Sequence, residues 1–225
     1  MPTLKLGSTT ALTESSGALT INVANPTVTL GSNATFGSDV SIGAGTIGGA
    51  VGGALGWRLL ESVTANDNAN ITIGSATTLS STFDDYMIVG TSIRTHTAGT
   101  LLLRMTIGGS ELTSAYLTVS HGMDSNATET NVTSASYAYA FLNSGSTTNN
   151  NAYDRFEFKM YLSSPTSTVF HNRVWGIASY TTNMGYARNA SFTARHNTTG
   201  ALTAIKIYPG SGNITGTCKL YGLEK

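Results

Sequence analysis

The chain has 225 residues, 12 Lys+Arg against 12 Asp+Glu, a formal net charge of zero and only 11% charged residues, under half the ~25% usual for a soluble domain. Thr, Ser, Asn and 25 Gly stand in place of charge, and Lys and Arg scattered singly leave no electrostatic footprint for nucleic acid or anionic lipid. The single Cys218 excludes an internal disulfide framework and a Cys-rich zinc site, and a surface without net charge suits a protein that lives in an assembly.

Residues 1–7 lack the apolar core of a secretory signal, and no apolar run is long enough to span a bilayer. Neither standard export nor membrane insertion is expected. Up to residue 56 the only charges are Lys5, Glu14 and Asp39, and the only aromatic is Phe36. Short stretches alternate apolar and polar with a period of two at 3–6, 19–23, 27–30 and 40–42, which predicts strands with one thin apolar face each. The recurring endings Leu6-Gly7-Ser8, Leu30-Gly31-Ser32 and Phe36-Gly37-Ser38 read as a degenerate repeat of strand and tight turn.

Energetics sharpen that reading. Ordering these residues costs roughly 1–2 kcal/mol of backbone entropy apiece, whereas about a dozen small aliphatic side chains contribute only ~1.5–3 kcal/mol each if fully buried. A single copy of the segment therefore does not fold alone. It is either disordered or buries its faces against other chains, and its aliphatic content and scarce charge favour the second. The expected arrangement is an interwoven trimeric stalk, a triangular β-prism with one side from each chain. Its subunit contacts would be Leu4, Leu6, Ile21, Val23, Val28, Leu30, Phe36, Val40 and Ile42.

Residues 43–56 are rich in Gly and Ala, with glycines at four-residue spacing (Gly45, Gly49, Gly53 and Gly48, Gly52, Gly56). The small-xxx-small pattern suits helix packing. The stretch is too short to span a bilayer, and Gly costs a helix about 1 kcal/mol per residue, so a glycine-rich hinge or tight axial packing is expected.

Residues 57–225 carry both Trp, all ten Tyr and most of the charge. Strands are predicted at 71–73, 86–93, 101–107, 115–120, 135–142, 155–162, 173–180, 190–196, 204–208 and 217–223, separated by Gly, Asn, Ser and Thr turns. Phe156-Glu157-Phe158-Lys159-Met160-Tyr161 alternates cleanly. With no competing amphipathic helix, the pattern predicts an antiparallel β-sandwich, jelly-roll-like, with long polar loops at 124–134 and 143–152 on its rim.

Chemistry-bearing patterns are sparse. Asp84-Asp85 is the only adjacent acidic pair. Neighbours on a strand face opposite ways, so the pair reads as a turn opening a strand rather than two carboxylates facing a sugar. Ser120-His121-Gly122-Met123-Asp124 carries the residue types of a hydrolase triad without a nucleophile elbow or oxyanion signature, and reads as strand end plus turn. His96, His121, His171 and His196 lack metal-ligand spacing. No phosphate-binding glycine loop occurs, and no cofactor is expected. Tyr137, Tyr139 and Phe141 fall on one strand face, while Tyr180 and Tyr186 flank a turn. Such aromatics serve a core, a subunit contact or sugar stacking.

Two segments carry a resemblance. Val28-Thr29-Leu30-Gly31-Ser32-Asn33-Ala34-Thr35-Phe36-Gly37 resembles the short N-terminal strand motif of tailed-bacteriophage virion proteins, particularly from marine and cyanobacterial phages. Ile205-Lys206-Ile207-Tyr208 followed by Gly216-Thr217-Cys218-Lys219-Leu220-Tyr221-Gly222-Leu223 is similar to the closing strands of their β-sandwich domains. The resemblance implies a homotrimeric fibre or decoration protein, not an enzyme, attached to the head or tail of the virion through residues 1–42. A hinge at 43–56 and a sandwich at 57–225 would follow. Its partners would be its own copies and other virion proteins, and it would assemble in the host cytoplasm. The alternative is a receptor-binding tip that recognises host-surface glycan through the loops at 124–134 and 143–152, with Tyr137, Tyr139, Tyr180 and Tyr186 as candidate contacts. A depolymerase would need two carboxylates facing one groove, which the sparse acids disfavour.

Overall fold

A computed structural model describes residues 3–6, 9–15, 18–21, 56–145, 147–151, 154–163 and 165–224. The chain divides into two compact units, Met1–Gly52 and Gly53–Lys225. In the first, β1 (Thr3–Leu6), β2 (Thr9–Ser15) and β3 (Ala18–Ile21) form an antiparallel meander. Its register aligns Leu4 with Leu12 and Leu12 with Ile21, one cross-strand row. Of the expected stalk contacts, Val23, Val28, Leu30, Phe36, Val40 and Ile42 lie outside the described residues, as does the Gly/Ala-rich stretch up to residue 55.

The second unit is built from β4 (Trp57–Asn68), β5 (Ile71–Ile73), β6 (Phe83–Thr95), β7 (Leu101–Ile107), β8 (Ser110–Glu111), β9 (Tyr116–Asp124), β10 (Glu129–Tyr137), β11 (Ala140–Phe141), β12 (Phe156–Ser163), β13 (His171–Thr181), β14 (Ala187–Thr199), β15 (Leu202–Pro209) and β16 (Ile214–Glu224). The described residues contain no helix. Eight strands pair in the order β10-β9-β14-β13-β12-β6-β16-β4, and a smaller sheet runs β11-β7-β15-β5 with β8 paired to β7. The protein is all-β, with antiparallel sheets.

One hydrophobic core joins the two sheets. Phe156, Phe158, Met160 and Leu162 of β12 alternate inward past Glu157 and Lys159, and they meet Ile71, Leu101, Leu103, Met105, Ile205 and Ile207 of the smaller sheet in the same buried cluster. Tyr116 is fully buried there, accepting the Met105 N–H at 2.6 Å and donating to the Leu112 carbonyl at 3.2 Å. A bulge interrupts β6 at Ser92, which takes a left-handed φ of 53° and shifts the register with both neighbouring strands.

Two expectations are corrected. The loop predicted at 124–134 is mostly strand, because β10 begins at Glu129 and pairs with β9 as an edge of the large sheet. The covered side of this edge strand is only half-buried and carries Thr130, Val132 and Ser134, so the sequence shows no apolar alternation. The loop predicted to sit on the rim at 143–152 is partly interior, with Asn143, Ser144 and Thr148 buried and Thr148 bridging Gly99 and Thr182.

Candidate interaction face

On the outer side of the large sheet the register aligns one residue from every strand. Thr133, Val119, Thr193, Trp175, Tyr161, Met87, Tyr221 and Leu59 stand opposite one another from β10 to β4. Charge is absent from this row. Tyr161 stacks on Trp175 with ring centroids 4.5 Å apart, and Trp57 tilts onto Tyr161 at 6.0 Å. The next row holds His121, Ser191, Ile177, Lys159, Val89 and Lys219.

Around this second row the face is hollowed. Val89, Thr91, His121, Met123, Glu157, Lys159, Ile177, Ser179, Asn189 and Ser191 border a concavity of ≈ 670 Å³. Ile177 is 62% exposed and Met123 53%. Ile177 of β13 and Met123 of β9 thus stand in water on either side of β14. A second apolar feature stands in the connection between β12 and β13, where Val169 is 74% and Phe170 68% exposed. The Ser167 hydroxyl fixes this tip by accepting the N–H groups of both residues, at 3.1 and 2.9 Å.

Beneath the same face, at the β9–β14 edge, lies a buried ion pair. Arg188 Nη2 donates to Asp124 Oδ2 at 2.6 Å, with both side chains almost fully enclosed. Asp124 Oδ1 also accepts the N–H groups of Asn126 and Thr128. The Arg188 guanidinium, reinforced by those amides, holds the Asp124 carboxyl below its usual range against the opposing effect of burial. Arg188 Nη1 donates to Thr130 and Ser144, and Ser144 reaches the Tyr180 hydroxyl at 3.2 Å. Gly122 makes room for this network, since a Cβ there would lie 2.5 Å from Ser144 Oγ. The pair fixes the hairpin between β9 and β10 against β14.

The structure brings together some of the residues singled out in the sequence and separates others. Tyr137, Tyr139 and Phe141 cluster, with centroids 5.3–5.7 Å apart. Tyr180 is buried and stacks on Phe156 at 5.0 Å, while Tyr186 sits half-buried in the turn before β14. Ser120 and Asp124 face inward while His121 faces out, so these three do not converge. His121 instead pairs with Glu129 at 3.0 Å, and hydrogen bonds from Asn131 and then His121 keep the Glu129 carboxyl below its usual range. Asp85 lies exposed on β6. Among the described residues no three His, Cys, Asp or Glu side chains gather as a metal site.

Sequence reading missed Ile177, Met123 and the Val169-Phe170 tip. A signal was present in Val174-Trp175-Gly176-Ile177-Ala178, where consecutive apolar residues place grease on both faces of a strand. No protein-family model matches the chain, and no curated protein or solved structure is significantly similar to it.

Proposed function

We propose that the chain is a non-enzymatic structural protein of a tailed-phage particle, a homotrimeric surface fibre or decoration protein. Residues 1–42 anchor it to other virion proteins, and the two sheets of residues 57–225 form a jelly-roll-like β-sandwich. The observation that carries this reading is the hollow of the large sheet, where Ile177 and Met123 stay in water in a single copy. The Val169-Phe170 tip supplies a protruding apolar group on the same molecule. A tip on one copy seated in the hollow of the next is a heterologous contact, and three such contacts close a ring. Burial of these groups and of the thin N-terminal rungs then makes folding and assembly one coupled process.

The virion assignment is supported by the resemblance of residues 28–37 and of the closing strands, and by a composition with few charges and no net charge. The test of association is direct. Phe170→Asp and Ile177→Asp, each at one side of the proposed contact, should yield folded species of lower mass in light scattering. Trimers unchanged in both variants would reject the sheet face as the contact. Incorporation of the tagged chain into purified particles tests the virion role, and its absence there would reject that role.

A further inference from the structure

We propose that the outer face of the large sheet carries a site for an acidic saccharide, centred on Arg173 and Arg195. These residues stand directly opposite each other on β13 and β14. Like charges so placed repel across ~5 Å and destabilise the pair of strands. Among the described residues neither guanidinium has a carboxylate partner, and the only side-chain hydrogen bond of the two is Arg195 Nη2 to Asn197 Oδ1 at 3.4 Å. Two adjacent forks with unspent donors match an oxyanion, which would replace repulsion by charge-assisted hydrogen bonds.

The surroundings narrow the carrier of that oxyanion. Arg173 and Arg195 border a concavity of ≈ 510 Å³ that is also lined by Thr133 of β10, Leu117 of β9 and Thr193 of β14, whose hydroxyl donates to the Val174 carbonyl at 3.2 Å. Trp175, two residues along β13 on the same face, is 47% exposed. Hydroxyl partners, an apolar patch and an indole beside paired arginines suit a sugar ring bearing a carboxylate. The ring's C–H face meets the apolar groups and its hydroxyls meet the threonines. A nucleic-acid groove would need a stripe of cations, and the chain as a whole has no net charge. The inference is independent of the proposed self-association.

Calorimetric titration of the full chain at low salt tests it, with trigalacturonate as the probe and maltotriose as the neutral control. Trigalacturonate should bind saturably and maltotriose should not. Arg173→Gln and Arg195→Gln should each weaken binding about tenfold or more, as expected for loss of a hydrogen bond to a charged group, and the double variant should abolish it. Relief of the repulsion should leave the melting temperature of the unliganded variants unchanged or raised, where a merely structural role would lower it. Failure of trigalacturonate to bind, undiminished binding to the double variant, or tighter binding of a duplex DNA oligonucleotide than of trigalacturonate would each overturn the proposal. Sedimentation of the same variants keeps this outcome separate from that of self-association.

Discussion

Cys218 is the only thiol, and it lies in β16 facing the core. Burial pushes its pKa up to about 12, and a thiol without thiolate character does not attack. A chromogenic disulfide reagent should therefore release no signal from native protein and one equivalent after denaturation. His196 is set differently. Its Nε2–H donates to the Ser114 carbonyl at 2.6 Å, its Nδ1 accepts the Thr198 N–H at 3.0 Å, and its ring meets Tyr116 edge-on at 4.9 Å. Burial lowers its pKa, against the pull of the Ser114 carbonyl, so the unfolded chain takes up a proton near pH 6.5 that the folded chain refuses. The stabilisation is complete above that pH and is lost as pH falls through the lower folded value. His196→Phe should flatten the decline in melting temperature in that window, while costing about 1–3 kcal/mol at neutral pH for the polar groups it leaves unpaired. Asp124 adds a second acid step. Its depressed pKa stabilises the fold above about pH 4 and ceases to do so at lower pH. Arg188→Met should unfold at much lower denaturant than wild type, and adding Asp124→Leu to it should recover part of the loss, because an unpaired buried carboxylate costs more than an apolar pair. None of this was legible in the sequence, where the two partners are 64 residues apart and nothing local marks them.

At the scale of the element, Gly176 shows how tightly β12 and β13 approach. A Cβ there would lie 2.2 Å from the Lys159 carbonyl oxygen and 2.8 Å from Met160 Cα, backbone atoms that cannot rotate away. Gly176→Ala should cost about 1–3 kcal/mol in chemical denaturation. The strands legible in the sequence are those that alternate wet and dry faces, such as β5 and β12, and the apolar run of β7, buried on both faces at Leu101–Leu103; the bounds of β5 and β7 match the prediction. β4 and β10 were not legible, because both are edges of the large sheet and their backbone pairing is not written in side-chain pattern. The N-terminal meander was half legible, with β1 and β3 anticipated and the Thr-rich β2 not. The Arg173–Arg195 pairing could only have been found by folding the β13–β14 hairpin about its turn, since both residues lie equally far from its centre.

At the scale of the whole molecule, antiparallel sheets and one shared core account for the described residues of the second unit, while Ile177, Met123, Leu59 and Val119 on the outer face of the large sheet are half or more exposed, a surface that the proposed association would cover. The composition points the same way, since a chain with 11% charged residues and no net charge has little to keep free copies apart. The proposed N-terminal stalk would add a second requirement for partners, and Ile21→Asp should lower the order of assembly if the row of Leu4, Leu12 and Ile21 is covered by sister chains. The most direct measurement is sedimentation velocity of the wild-type chain over a dilution series, with limited proteolysis of each fraction. The wild-type chain should sediment as a single species at three times the 23.4 kDa chain mass, with the N-terminal segment resistant to protease. A well-folded monomer that persists on dilution with that segment equally protected would contradict it.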